Sequence, residues 1–261
     1  MLEKSVFTNK KEIINFVKEK YGINVTDIKI IDRGSANIYS LNGDEYILKE
    51  FQSKYTKEEI EKEITIINHL KKDGIKVPSY IKTINDTHYS IYKNKVIIIQ
   101  KFIDGYTLNR NEGNYEQTIE CAKVYGMIVK SLENLDILLP LNDLSYLFSK
   151  EIFEKSIEKH QELLKVINDK DVKNGIFNLD TFTDYIKEFN KYVKLNDYDL
   201  KYMSYIYLIQ LLSSTYGYKE YINNNENIEL LVFAHFRTNI CKYLFNNAEN
   251  ISTRLLENIK K

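Results

Sequence analysis

The spacing of apolar positions changes period along the chain, and each change predicts an element. Ile13, Ile14, Val17 and Tyr21 recur at helical spacing and stop at Gly22, which predicts a leading helix over 10–21. Runs 25–32, 36–41 and 45–51 then alternate apolar and polar like antiparallel strands, tied by a turn at Gly34 and a hairpin at Asn42-Gly43. Thr56 and Glu59 form a capping box, and behind it Ile60, Ile64, Ile67 and Leu70 make the stripe of a helix that ends near Gly74 and Val77-Pro78. Further strands are expected at 79–84, 88–92 and 96–102. The last, with Val96-Ile97-Ile98-Ile99, is apolar enough to be covered on both faces. From Tyr115 onward the helical period takes over, predicting helices over 115–133, 143–168, 179–193, 197–222 and 227–258. The fold class is α+β: an antiparallel-sheet lobe with one capped helix over 1–105, then a mostly helical lobe over 106–261.

Composition narrows the function. Lys plus Arg equals Asp plus Glu at 37 each, so no global field draws in nucleic acid or an anionic membrane. Nine glycines and two prolines in 261 residues fit a helical chain with few elaborate loops. Cys121 and Cys241 match neither a metal spacing nor a disulfide framework, which points to a reducing, cytoplasmic setting. The N-terminus reads as no signal peptide, and the most apolar run, 203–212, is too short and polar to span a bilayer.

The candidate chemistry lies in the first lobe. Lys49 shares a strand face with Ile47 and Phe51, so its ammonium emerges beside packed surface and calls for an anion. Glu63, at the edge of the next helix's apolar stripe, is the carboxylate best placed to meet it, whereas Glu61 falls on the wet face. A strand lysine held by a helix glutamate is one way to aim an ammonium at nucleotide phosphates while a glycine turn brings backbone N–H groups close. In isolation the pair reads as an ordinary surface Lys and Glu. The order of glycine turn, hairpin, lysine, capped helix, proline and apolar strand favours the nucleotide reading.

Several segments carry a resemblance: Arg33-Gly34-Ser35-Ala36-Asn37-Ile38-Tyr39, Ile47-Leu48-Lys49, Glu63 with Leu70, Val77-Pro78, and Ile99 through Leu108 with its Asp104-Gly105. Together with Tyr125 through Leu132, they resemble the aminoglycoside phosphotransferase family, relatives of choline, fructosamine and homoserine kinases within the protein-kinase-like fold. The resemblance implies ATP as cofactor. It also implies Gly34 and Ser35 in a phosphate-facing turn, Lys49 and Glu63 as the phosphate-orienting pair, and a hinge at Gln100, Lys101 and Phe102 through Ile103 that meets adenine. Where many members carry a histidine near the end of the second lobe's opening helix, Glu133 stands here.

The family's catalytic loop begins His-Gly-Asp, with an Asn five residues after the Asp, and a later Asp-x-Asp segment holds magnesium. None of His69, His88, His160 and His235 is followed by Gly-Asp. Asp169 with Asn174 has the Asp-to-Asn spacing, and Asp197-Tyr198-Asp199 has the shape of the metal motif. Yet 177–193 reads as an amphipathic helix where short strands belong, and Asp197 and Asp199 serve equally well as first-turn acids behind an Asn196 cap. On the resemblance, the chain passes from its linker helix straight to the post-catalytic helices, giving a shortened second lobe with no metal ligand assigned. Mg²⁺ then has no evident holder. Three functions stay open: a family member with impaired phosphoryl transfer, a working kinase of a small hydroxylated or aminated metabolite or antibiotic, and a non-enzymatic binding or scaffold protein. The partners expected are a nucleotide and a small molecule.

Two other clusters have plainer readings. Phe233 through Arg237, with His235, offers a ligand contact but reads more plainly as helix packing, and the tyrosines at 202, 205, 207, 216, 218 and 221 offer stacking for an aromatic or sugar ligand but read more plainly as helix-packing core.

Overall fold

The computed structural model describes residues 3–31, 36–106, 108, 113–135, 155, 158, 177–212, 216–223, 226 and 228–259. They form two compact units, Met1–Glu112 with Ile128–Ile137, and Gly113–Met127 with Leu138–Lys261.

The first unit is built on an antiparallel sheet of β1 (Ile28–Ile31), β2 (Asn37–Leu41), β3 (Tyr46–Glu50), β4 (Ser90–Tyr92) and β5 (Lys95–Lys101), in the order β1-β2-β3-β5-β4. Its turns follow from residues that tolerate positive φ. Asn42, Gly43 and Asp44 are all left-handed at φ 56°, 61° and 67°, so the expected two-residue hairpin is a four-residue connection from Leu41 to Tyr46. Lys93 and Asn94, at φ 47° and 65°, join β4 to β5 in a two-residue turn of the primed kind, which matches strand twist.

Helix α1 (Lys10–Tyr21) is capped by Asn9, whose side chain accepts from the Glu12 N–H, and stops at Gly22 in the left-handed region at φ 67°. It buries Ile13, Phe16 and Val17 against Tyr39, Leu41, Leu48, Ile97 and Ile99 of the sheet. The Tyr21 hydroxyl donates to the Ile97 carbonyl at 2.9 Å. Helix α2 (Lys57–Lys72) carries the predicted Thr56–Glu59 capping box, and its Ile60 and Ile64 pack with Val96 and Ile98 on the opposite face. The sheet is therefore covered on both sides, which explains the continuous apolar run in β5.

The strand expected over 79–84 is not formed. Tyr80 makes an isolated bridge to Gln100, after which the chain curls: the Thr83 N–H bonds to the Thr87 carbonyl and the Ile84 N–H to the Lys20 carbonyl. The Thr83 hydroxyl accepts from the amides of Asn85 and Thr87, so local polar groups consume the donors a ladder would need.

Helix α3 (Tyr115–Leu132) contributes its last residues to the first unit, where the Ser131 hydroxyl donates to Asp73 at 2.6 Å and the Ser131 carbonyl meets His69 at 2.9 Å. The second unit holds the rest of α3 and four more described helices, α4 (Leu179–Asn190), α5 (Asp197–Leu212), α6 (Tyr216–Asn223) and α7 (Ile228–Ile259). The single helix expected over 197–222 is two elements, α5 and α6. The helix expected over 143–168 falls almost wholly outside the described residues.

Helices α5 and α7 form the core of this unit, with Leu200, Leu208 and Leu211 against Ile240, Leu244, Ile251 and Leu255. Small polar residues let the helices approach: Ser252 donates to the Lys201 carbonyl at 2.6 Å and Ser204 to the Ala248 carbonyl at 3.3 Å. His235 is buried edge-on to Tyr218, at 5.9 Å between ring centres, as the packing reading of that segment expects. The tyrosine reading needs correction. Tyr218 is core at 2% exposure, but Tyr205 and Tyr207 are 41% and 37% exposed on α5, because α7 covers a different face of that helix.

Candidate functional site

The ladder between β3 and β5 decides which side chains share a face. Lys49 lies opposite Ile98 and Ile47 opposite Gln100, so Lys49 and Gln100 stand on the α2 side of the sheet together with Ile47 and Ile98. Glu63 reaches the same side from α2, and Tyr80 from the segment beside Gln100.

The Lys49 ammonium is half-buried, and burial holds its pKa below the ordinary 10.5 in spite of the opposing pull of Glu63. Desolvation wins because the pair attracts at a distance without forming an ion pair. Glu63 instead accepts a hydrogen bond from the Tyr80 hydroxyl. Burial, and then the Glu63 carboxylate, push the Tyr80 hydroxyl well above the ordinary phenol value, so it stays a neutral donor. Sequence reasoning missed Tyr80, which it placed only within an expected strand over 79–84, where alternation names no partner for a hydroxyl.

Gln100 is 6% exposed, and its Oε1 has no hydrogen-bond partner among the described residues. A buried acceptor left without a donor costs about 1–3 kcal/mol, which marks it as a place where a ligand donor would be favoured. Lys101 turns outward, pairing with Glu45 at 3.0 Å over the Tyr46 ring, and Phe102 is 37% exposed. The hinge candidates thus divide into one buried side chain and two exposed ones. Gly34 and Ser35 lie outside the described residues.

The sheet's other face holds a buried charge pair that sequence reasoning also missed. The Glu50 carboxylate, fully buried, accepts from Lys95 Nζ at 2.9 Å, the Ser5 hydroxyl at 2.6 Å, the Val6 N–H at 3.1 Å and Asn37 Nδ2 at 3.1 Å. Alternation offers a signal in hindsight, since Glu50 continues the Tyr46, Leu48 face and Lys95 the Ile97, Ile99 face.

Of the remaining candidates, Asp169 and Asn174 lie outside the described residues. Asp197 and Asp199 sit in the first turn of α5 in the second unit. Asn196 Oδ1 accepts from the Asp199 N–H at 3.0 Å and the Tyr198 N–H at 2.8 Å, and Asp199 Oδ2 accepts from the Asn196 N–H at 2.9 Å. This is a reciprocal cap. Among the described residues there is no group of three or more His, Cys, Asp or Glu that could hold a metal ion. Cys121 is exposed and Cys241 buried, the latter pushed up to about 11 by burial.

Three solved structures place this architecture. The chain is similar to the amicoumacin kinase hAmiN in complex with AMP-PNP, Ca²⁺ and Ami, with a TM-score of 0.62 and 10% identity, over 90% of this chain and 94% of that one. It is similar to a microcompartment-associated aminopropanol kinase, with a TM-score of 0.55 and 9% identity, over 95% and 100% of the two chains. A spectinomycin phosphotransferase in complex with ADP and spectinomycin follows at 0.51 and 16%, over 92% and 98%. The fold is that of the small-molecule kinases. No protein-family model and no curated protein matches the chain in sequence. No described helix is long and apolar enough to cross a membrane.

Proposed function

We propose that the protein is a nucleotide-binding member of the aminoglycoside phosphotransferase-like group in which phosphoryl transfer is impaired. The observation that carries the reading is the buried Gln100 Oε1, without a hydrogen-bond partner among the described residues, on the sheet face that also bears the half-buried Lys49. In this reading Lys49 faces the phosphates of ATP, and a triphosphate supplies the close anion that Glu63 does not. Glu63 biases the ammonium from a distance and is itself fixed by Tyr80. Gln100 Oε1 accepts an N–H of the base, and the backbone of Lys101 and Phe102 lies alongside it. Gly34 and Ser35 complete the phosphate side.

The impairment rests on the sequence, in which no His-Gly-Asp occurs. A bound Mg²⁺ would neutralise phosphate charge, and no step is assigned to the ion. The test is calorimetric titration of the full chain with ATP and AMP-PNP, paired with a phosphorylation assay against hydroxylated amines. Binding that is lost in Lys49→Ala, without phosphate transfer, supports the proposal. Sustained phosphorylation of an acceptor would establish the working kinase, with Asp169 and Asn174 as the residues to vary next. Failure to bind nucleotide would leave the non-enzymatic scaffold.

A further inference from the structure

Two donors on one face of the first unit's sheet compete for a single carboxylate. Strand β5 has a neighbour along each edge. On one edge Lys49 of β3 lies opposite Ile98. On the other, the Lys101 N–H donates to the Ser79 carbonyl at 2.9 Å and the Ile81 N–H to the Ile99 carbonyl at 2.8 Å, which bridges Tyr80 to Gln100. Directly paired residues share a sheet face, and so do Ile98 and Gln100, two positions apart. Lys49 and Tyr80 therefore flank β5 on the side that α2 covers, where Ile60 and Ile64 pack with Val96 and Ile98. Glu63, one residue before Ile64, acts on both of them.

Tyr80 takes the carboxylate. Its hydroxyl donates to Glu63, while among the described residues Lys49 feels Glu63 only as a charge at a distance. An ammonium is the stronger attractor where both donors are equally placed, so placement decides. The two backbone bonds fix Tyr80, and its ring packs on the cluster of Ile60, Ile64, Val96 and Ile98. A lysine stem must instead give up rotamer freedom to hold one geometry. The ladder partners of Lys49, Ile38 on β2 and Ile98 on β5, are apolar, which leaves Glu63 as the charged group that acts on it. All three ammonium donors remain for another anion.

We infer that Tyr80 is a positioning residue for the nucleotide site: by holding Glu63 it keeps that carboxylate from closing on Lys49, whose ammonium stays open to an incoming phosphate. The phosphate half of this inference rests on the nucleotide reading, whereas the competition for Glu63 needs no nucleotide.

The experiment measures how fast acetic anhydride acetylates Lys49 in the full chain across pH, without nucleotide, by peptide mass spectrometry. The free amine reacts and the ammonium does not, so the profile reports the proton on Lys49. Tyr80→Phe removes one oxygen and keeps the ring. It is expected to release Glu63 onto Lys49, move the onset of reactivity to higher pH, and slow labelling at neutral pH about threefold or more. Glu63→Gln is expected to speed labelling, because it removes the attraction that favours the charged form. With Glu63→Gln in place, adding Tyr80→Phe is expected to change the rate by less than about twofold. A merely structural tyrosine would move Lys49 equally with and without the carboxylate. The inference is overturned if Tyr80→Phe leaves the Lys49 profile unchanged or if its effect persists beside Glu63→Gln. It is overturned as well if Tyr80→Phe does not fold, since the hydroxyl would then be structural. Saturating ATP should protect Lys49 of the parent chain from acetylation. A lack of protection would count against the nucleotide reading, while the variant profiles decide the role of Tyr80, so the two failures are separate results.

Discussion

Lys95 donates to Glu50 at 2.9 Å across the β3–β5 ladder, on the face of the sheet turned away from Lys49. The lysine that stands out in sequence is thus not the one that forms the buried ion pair. Lys95 also reaches the Lys4 carbonyl at 3.0 Å and Glu3 at 3.1 Å, so the pair anchors the N-terminal segment to the sheet. Burial alone would lower the Lys95 pKa, but hydrogen bonds to Glu50 and Glu3 outweigh it and raise it.

Replacing Lys95 by Met strands a fully buried carboxylate and is expected to destabilise the first unit by about 3–5 kcal/mol in urea denaturation. Adding Glu50→Gln to Lys95→Met should recover part of that loss, because a neutral amide carries no buried charge. A single variant as stable as the parent would show that Glu50 draws its support from Ser5, Val6 and Asn37 alone.

Acid should release the N-terminal segment before the core. Lys93 first, then the Thr8 N–H and the Tyr92 hydroxyl, lower the Glu12 carboxyl from 4.5 to about 2; the Ser53 hydroxyl and N–H, then Lys95, do the same for Glu3. A depressed carboxylate contributes stability above 4.5 that is lost as pH falls toward about 2. Protection from hydrogen exchange, relative to the free amide at the same pH, should fall across that window at the Thr8 and Ser53 amides, which donate to Glu12 and Glu3, while Leu48 and Ile99 stay protected.

Nucleotide binding, if Lys49 meets the phosphates, should weaken as pH rises. Its ammonium already loses its proton below 10.5, and the bound polyanion favours the protonated form, so affinity falls as pH climbs through the lowered value. Lys49→Ala should remove this dependence along with about tenfold or more of the affinity. Gln100→Leu should weaken ATP and spare inorganic triphosphate, since its role is at the base.

Asn196→Ala should uncap α5 and cost about 1 kcal/mol, read as a lower thermal midpoint of the second unit. Asn196→Asp should be nearly neutral, because it retains the acceptor for the Asp199 and Tyr198 amides.

Gly126 of α3 has no room for a side chain, since a Cβ there would lie 3.0 Å from Tyr192. Gly126→Val should therefore destabilise the second unit by about 1–3 kcal/mol, and near-ultraviolet circular dichroism should report disturbed packing of the neighbouring Tyr125–Phe189 stack, whose rings lie 5.6 Å apart.

Local signals made much of the fold legible. Caps at Thr56 and Asn196 and the Gly22 stop are written in residues within a few positions of one another, and the structure places each element as those residues direct. The strand expected over 79–84 was misread because alternation reports only an apolar face, whereas pairing depends on where the Thr87 and Lys20 carbonyls lie. Sequence placed Lys49 and Glu63 on facing elements but could not tell that Tyr80 would take the Glu63 carboxylate.

What the sequence determined by itself was the order of most helices and strands and the strand face on which Lys49 stands, because helical and strand periods are properties of the local backbone. Tertiary structure decided the partners: Lys95 for Glu50, Tyr80 for Glu63, no partner among the described residues for the Gln100 oxygen, and a second apolar face of α5 opening on a cavity. Those depend on register and helix approach between residues as far apart as Glu50 and Lys95, 45 positions along the chain, which local periodicity does not encode.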